Sequence, residues 1–245
     1  MTIGNQPGQQ YADSIASRER GFAGSESGLL SSRIHESFVF SRFPPQLLRS
    51  LTSLYEISLG GEDRVANHFV QIVELTPLDS YRFGLKLWLE KETALLLKAA
   101  MIDAQNNILE QFSYSRIAIE PATNGDVSRL QPTEASKSTE VGAGSSEWEV
   151  TNAPLGFKLH SVNRYPAMPA GNVDHLIYTD GMAMVSVFVE PPGQKGTSGN
   201  GAVRLGVVNA VVGNVASRQV TVMGEVPEAT LQMMLDSVTP VNALQ

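Results

Sequence analysis

The chain has 245 residues, of which 42% are hydrophobic, no cysteine and a net charge of −7. That length suits two domains of ordinary size, and the missing cysteines exclude disulfides and thiolate metal sites. No segment is a basic patch, which argues against nucleic acid as a partner, and no window approaches the ~18 consecutive apolar residues of a membrane span.

Residues 1–35 are rich in Gly, Ser and Gln, a composition that reads as disordered. They lack the basic-then-apolar run of a signal peptide. A weak strand is predicted at Phe38–Phe40. Pro44 and Pro45 then open a helix that carries Leu47, Leu48, Leu51, Leu54 and Tyr55 on one face. A short strand at Ile57–Leu59 should be closed by Gly60–Gly61, and His68–Glu74 reads as another strand.

From Asp79 to Ile119 the pattern becomes that of three antiparallel strands in a row. Tyr81, Phe83, Leu85, Leu87 and Leu89 alternate with Arg82, Gly84, Lys86, Trp88 and Glu90, the period of a strand with one apolar face. Glu90–Thr93 turns the chain, Leu95, Leu97, Ala99 and Met101 carry the next strand, and Ala104–Asn107 turns it again. Phe112, Tyr114, Ile117 and Ile119 fall in the third. The broad apolar face suits binding better than chemistry. Tyr81, Phe83, Leu85, Leu87, Leu89, Leu95 and Leu97 are its candidate lipid-binding residues. The same alternation would also serve as ordinary core beneath the helix. Trp88, on the polar side between Lys86 and Glu90, is either packed against a neighbouring element or a contact for a protein partner.

Residues 121–147 lose the periodicity and read as a linker or long surface loop. A second unit, 148–240, is predicted as an antiparallel sheet with one helix. Its strands are Trp148–Val150, Phe157–Val162, His175–Thr179, Met182–Glu190, Ala202–Val212 and Arg218–Glu225. Turns are expected at Thr179–Asp180–Gly181 and at Gly213–Asn214, with a flexible loop at Pro191–Gly201. Pro227 and Glu228 open the helix, Leu231, Met234, Leu235 and Val238 form its buried stripe, and Pro240 ends it.

Catalytic signals are weak. His35, His68, His160 and His175 stand at no metal-binding spacing, and His35-Glu36 does not extend to HExxH. The glycine clusters at Gly142 and Gly196 lack the positions that a dinucleotide loop or a nucleophile elbow needs. Glu90, Glu92, Asp103 and Glu110 cluster at strand ends, where turn and solvated-edge roles are commoner than acid–base work. No metal and no cofactor is called for, and a hydrolase is the least favoured reading.

Several stretches resemble one known family. SLGGEDRVANHFVQIVELTP from Ser58, DSYRFGLKLWLEKETALLLKAAMID from Asp79 and ILEQF from Ile108 are similar to the N-terminal domain of the MucB/RseB family, regulators of the envelope-stress sigma factor. APLGFKL from Ala153, LIYTDGMAMVSVFVE from Leu176 and VTVMGEVPEATLQMMLDSV from Val220 resemble its C-terminal domain, in the same order. The resemblance implies an α+β fold with domains at 36–120 and 148–240 joined by the 121–147 linker. The first would be an incomplete lipoprotein-carrier-like antiparallel half-barrel with a helix, the second a small sheet-plus-helix domain. It implies a non-enzymatic periplasmic protein that binds the periplasmic domain of a MucA/RseA-type transmembrane anti-sigma factor and shields it from regulated proteolysis. Lipid or lipopolysaccharide would act as the releasing signal. The family's first strands have no counterpart before Phe38, so the half-barrel is expected to lack roughly its first half. A homo-oligomer is compatible with this reading, and the alternative is a periplasmic lipid or lipoprotein carrier.

Overall fold

The computed structural model describes residues 51–119, 146–166, 171–192 and 201–241, which form thirteen strands and one helix. The first unit is an antiparallel meander in the order β1 (Tyr55–Val65), β2 (His68–Pro77), β3 (Gly84–Glu90), β4 (Leu96–Ile102), β5 (Ile108–Ser113). The second has a six-stranded sheet. In chain order its strands are β7 (Lys158–Pro166), β8 (Asn172–Thr179), β9 (Met184–Val189), β10 (Gly201–Leu205), β11 (Val208–Val215) and β12 (Arg218–Gly224); in space they run β10-β11-β12-β9-β8-β7. A two-stranded sheet joins β6 (Trp148–Val150) to β13 (Val238–Pro240), which follows the helix α1 (Glu228–Asp236). Both larger sheets are open among the described residues.

The second unit has its own core. Val185, Val187 and Val189 of β9 and Val220 and Val222 of β12 alternate toward α1, whose Leu231, Met234 and Leu235 meet them, with Leu176 and Tyr178 alongside. Helical and strand periods therefore present matching apolar surfaces. Val238, predicted on the helix, lies in β13 and enters the same core from there.

Glycines explain several departures from expectation. Gly60–Gly61 do not end β1; the strand runs on to Val65 through an irregularity between Leu59 and Glu62. The extra residue is absorbed as a bulge, and Gln71 Nε2 donates to Gly60 O at 2.7 Å across it. Gly213 is not a turn. A side chain there would meet Leu235 Cδ2 at 3.0 Å, so its bareness lets the helix approach. The turn falls at Ala216 and Ser217, with φ of 45° and 63°, the geometry of a two-residue hairpin loop. The predicted single strand Ala202–Val212 is two, split at Gly206 with φ +64°.

β3 begins at Gly84, so Tyr81 and Phe83 belong to the β2–β3 loop, and β5 ends at Ser113, leaving Tyr114 and Ile117 beyond it. Tyr55 already belongs to β1 rather than to the predicted helix. The predicted strand at Phe38–Phe40, the part of the predicted helix before Leu51, nearly all of the 121–147 linker, His35 and most of both glycine clusters lie outside the described residues.

Candidate binding face

The meander has two faces, and strand register assigns the residues. Ile57 pairs with Leu75 and Leu59 with Val73; Leu75 pairs with Leu85, Val73 with Leu87 and Gln71 with Leu89. Leu85 then faces Met101, Leu87 faces Ala99 and Leu89 faces Leu96. Paired residues share a face, so one apolar surface crosses all five strands to Phe112, the partner of Ala99. Its centre is buried at Leu75, Leu85, Leu87, Ala99 and Met101, while at its β1 end Ile57 is 44% and Leu59 76% exposed.

The reverse face holds Val65, Val70, Trp88, Leu97 and Ala100, with Ile117 packed against them. The register shift between Trp88 and Leu89 changes which β4 residues face the apolar side. Leu96, not Leu95 or Leu97, joins Leu89; Leu97 is fully buried on the opposite face, and Leu95 lies before β4 and is exposed. Strict alternation could not foresee this, because one bulged residue reverses every side chain beyond it. Trp88 is 5% exposed. Its Nε1 donates to Asp63 Oδ2 at 3.1 Å and the Lys98 ammonium sits 4.2 Å over its ring. It is closed into the reverse face, packed as a core residue.

The apolar face is met by the second unit. Val207, at the β10–β11 turn, is buried in the same cluster as Leu85, Leu87 and Met101, and Val208 and Met182 pack against that cluster. The β2–β3 loop fastens the two units. Arg82, fully buried at its side chain, donates from Nη1 to Asp79 Oδ2 at 2.7 Å, from Nε to Asp180 Oδ2 at 3.1 Å and from Nη2 to the Leu155 carbonyl at 2.6 Å. Its guanidinium also lies 5.5 Å from the Phe157 ring centre and 6.0 Å from that of Tyr55. A buried charge is tolerable only when paired and hydrogen-bonded in this way. Asp180 Oδ1 meanwhile accepts from Met182 N and Ala183 N at 2.8 Å each, so one carboxylate holds both Arg82 and the turn that presents Met182.

Further contacts cross the junction. Thr230 Oγ1 of α1 donates to the Tyr81 carbonyl at 2.7 Å. Leu54 lies so close to Gly156 that a side chain there would meet it at 3.0 Å. Burial first, and then the charge of Asp180, keeps the Tyr55 phenol protonated far above its ordinary range. Of the carboxylates singled out earlier, Glu90 accepts from Thr93 N, Thr93 Oγ1 and Glu92 N, and Asp103 from Gln105 N, Asn107 N and Asn107 Nδ2. These bonds hold both groups below the usual carboxylate range; they shape turns.

Sequence reasoning missed Arg82, Asp180, Thr230, Met182 and Val207. The one available signal was an arginine inside an aromatic, apolar stretch, where a charge demands partners. The partners of Arg82 lie up to 98 residues away along the chain, and Thr230 lies 149 residues from the Tyr81 carbonyl it meets, so neither left a local trace.

Comparison with known proteins agrees with this arrangement. The family model for the MucB/RseB N-terminal domain matches residues 23–138 and that for the MucB/RseB C-terminal domain matches residues 142–239. The sigma factor AlgU regulatory protein MucB of Pseudomonas aeruginosa is 32% identical over 207 residues, which cover 80% of this chain and 64% of that protein. The structure of the P. aeruginosa MucA/MucB complex superposes with a TM-score of 0.65 at 30% identity, over 79% of this chain and 67% of the other. MucB solved by itself gives 0.55 at 28% identity, over 86% and 71%. With both domain models matched in order over most of its length, the chain belongs to the MucB/RseB family.

Proposed function

We propose that this chain is a non-enzymatic regulator of envelope-stress sigma factor signalling. It binds the periplasmic domain of a MucA/RseA-type anti-sigma factor and shields it from regulated proteolysis. One observation carries the reading: the likeness to MucB in its MucA complex extends over 79% of this chain, through both units, rather than over one shared sheet. A carrier needs only the first sheet, so the second unit favours the regulator. The reading places the chain in the periplasm, with a lipoprotein-carrier-like domain over 36–120, a linker over 121–147 and a C-terminal domain over 148–240. Among the described residues no helix is long and apolar enough to cross a membrane. The test is calorimetric titration with a purified periplasmic segment of the anti-sigma factor, followed by timed cleavage of that segment with and without this chain. Saturable binding and slower cleavage are expected; absence of both removes the reading.

The same reading gives the apolar face a lipid-sensing role, on residues Leu85, Leu87 and Leu89 with Ile57, Leu59 and Leu96. The supporting observation is that this face, buried at its centre, stays open at the β1 end, where an acyl chain could enter along apolar surface. Leu59→Asp is the appropriate probe, because Leu59 is exposed and its replacement costs the fold little. Loss of lysophospholipid binding with an unchanged melting profile is expected; undiminished binding would move the site elsewhere.

A further inference from the structure

The second unit occupies part of the face that the proposed function assigns to acyl chains. Val207 is 8% exposed and sits in one cluster with Leu85, Leu87, Ala99 and Met101, and Met182 and Val208 pack on its border. Met182 sits on the β8–β9 turn, Val207 on the β10–β11 turn and Val208 at the start of β11. The first turn is held by Asp180, which also holds Arg82 of the first unit. Val207 and Met182 are thus placed as an acyl chain would be, and the Arg82–Asp180 pair keeps them there.

We propose that the second unit is a cap over the amphiphile face, latched by Arg82 and Asp180, and that an acyl chain and the Val207–Met182 tip compete for the same apolar cluster. The inference rests on the amphiphile reading above and adds its regulation. An amphiphile gains apolar contacts only where the tip has withdrawn, so binding favours the unlatched arrangement; by linkage, unlatching favours binding. If only a fraction of molecules is unlatched, the apparent affinity is reduced by that fraction. A bound amphiphile would then change how the two units are disposed toward any partner that touches both.

The chain has no cysteine, which allows clean placement of paired spin labels at two exposed positions, Glu92→Cys in the first unit and Glu149→Cys in the second. Their separation would be measured by double electron–electron resonance in the full chain, with and without a C12 lysophosphatidylcholine below its micellar concentration. The affinity for that lipid would be titrated in parallel for wild type, Arg82→Gln and Val207→Ser. Wild type should give one narrow distance that lengthens or broadens as lipid is added. Arg82→Gln should show the broadened distribution without lipid and bind lipid about tenfold more tightly. Val207→Ser, which leaves the latch intact, guards against misfolding of the first variant and should shift both readouts in the same direction by less. Equal affinity in all three proteins with an unchanged distance overturns the competition and leaves the amphiphile reading standing. Lipid that binds none of them overturns the amphiphile reading and the competition with it.

Discussion

The two sheets bury their apolar faces by different means. The six-stranded sheet covers its valines with its own helix, and every member of that core comes from residues 148–238. The five-stranded sheet buries the centre of its face beneath Leu51, Leu54 and a turn borrowed from the other unit, and leaves Ile57 and Leu59 in solvent. A face closed by its own chain segment in a fixed register is a structural core. A face closed by a residue from a separately folded neighbour is one that rigid-body motion can expose. The difference makes the core of the second unit self-contained and that of the first dependent on its neighbour.

The comparison breaks most sharply at Asp180. Asp180→Ala leaves the Arg82 guanidinium buried with only Asp79 and a carbonyl, and also frees the turn that presents Met182. Removing one partner of a buried ion pair costs about 4 kcal/mol, and the loss should appear in urea unfolding. If the junction is the weak point of the molecule, the first sheet should lose amide protection before the second does. Leu231→Ala tests the opposite side. It empties a fully buried position in the helix–sheet core, with an expected cost of about 3 kcal/mol. Hydrogen exchange should then show the loss spread through β9, β11 and β12.

How much of this was legible depends on how local its causes are. The strands from β2 to β5 and the helix α1 could be read from period alone, since their apolar residues recur at the spacing of their own backbone. The Leu85, Leu87 and Leu89 alternation found one shared apolar face for the same reason. Leu95 and Leu97 were misplaced because a bulge at Trp88/Leu89 shifts register by one, and nothing in LWLEKETALLLK marks it. Gly213 misled because a glycine that admits a helix looks, in one dimension, like a glycine that makes a turn. The Arg82 latch was invisible. Asp180 reads as a good turn residue, which it is, and its second oxygen is committed to a partner 98 residues away.

His175 sharpens the picture of the second unit through pH. Its ring stacks on Phe188 at 4.1 Å, Nε2 lies 2.9 Å from Ser186 Oγ, and Nδ1 is buried without a hydrogen-bond partner among the described residues. Burial pushes its pKa down to about 4, so the folded unit binds fewer protons than the unfolded chain between that value and the ordinary one near 6.5. Its contribution to stability is therefore complete above pH 6.5 and is lost as the pH falls, by about 3 kcal/mol at pH 4. Chemical denaturation across this range should show that slope in wild type, and His175→Gln, which keeps a hydrogen-bonding group near Ser186, should remove it.

The smallest expected effect lies at the junction. Glu225, just after β12, is half-buried, and burial first, then the charge of Glu110 in β5, raises its carboxyl above the usual range. Glu110 Oε2 is itself buried without a hydrogen-bond partner among the described residues. Nearby, Arg204 of β10 helps to lower the Asp103 carboxyl of the β4–β5 turn. Besides the Arg82–Asp180 pair, the two units thus meet through a further attractive pair and a repulsive one, and the repulsive one depends on pH. An acid whose pKa is raised by folding stabilises the folded form below its unfolded value, and that contribution is lost as the pH rises through the raised value. At neutral pH the Glu225–Glu110 pair should therefore loosen the contact between the units. Glu225→Gln should raise the thermal midpoint slightly at pH 7 and have little effect near pH 4, where the wild-type carboxyl already carries its proton. Spin labels across the junction should narrow in distance distribution in the same variant at pH 7. A midpoint that rises equally at both pH values would mean that the gain comes from packing at Glu225, and the charge pair would then have no part in holding the units apart.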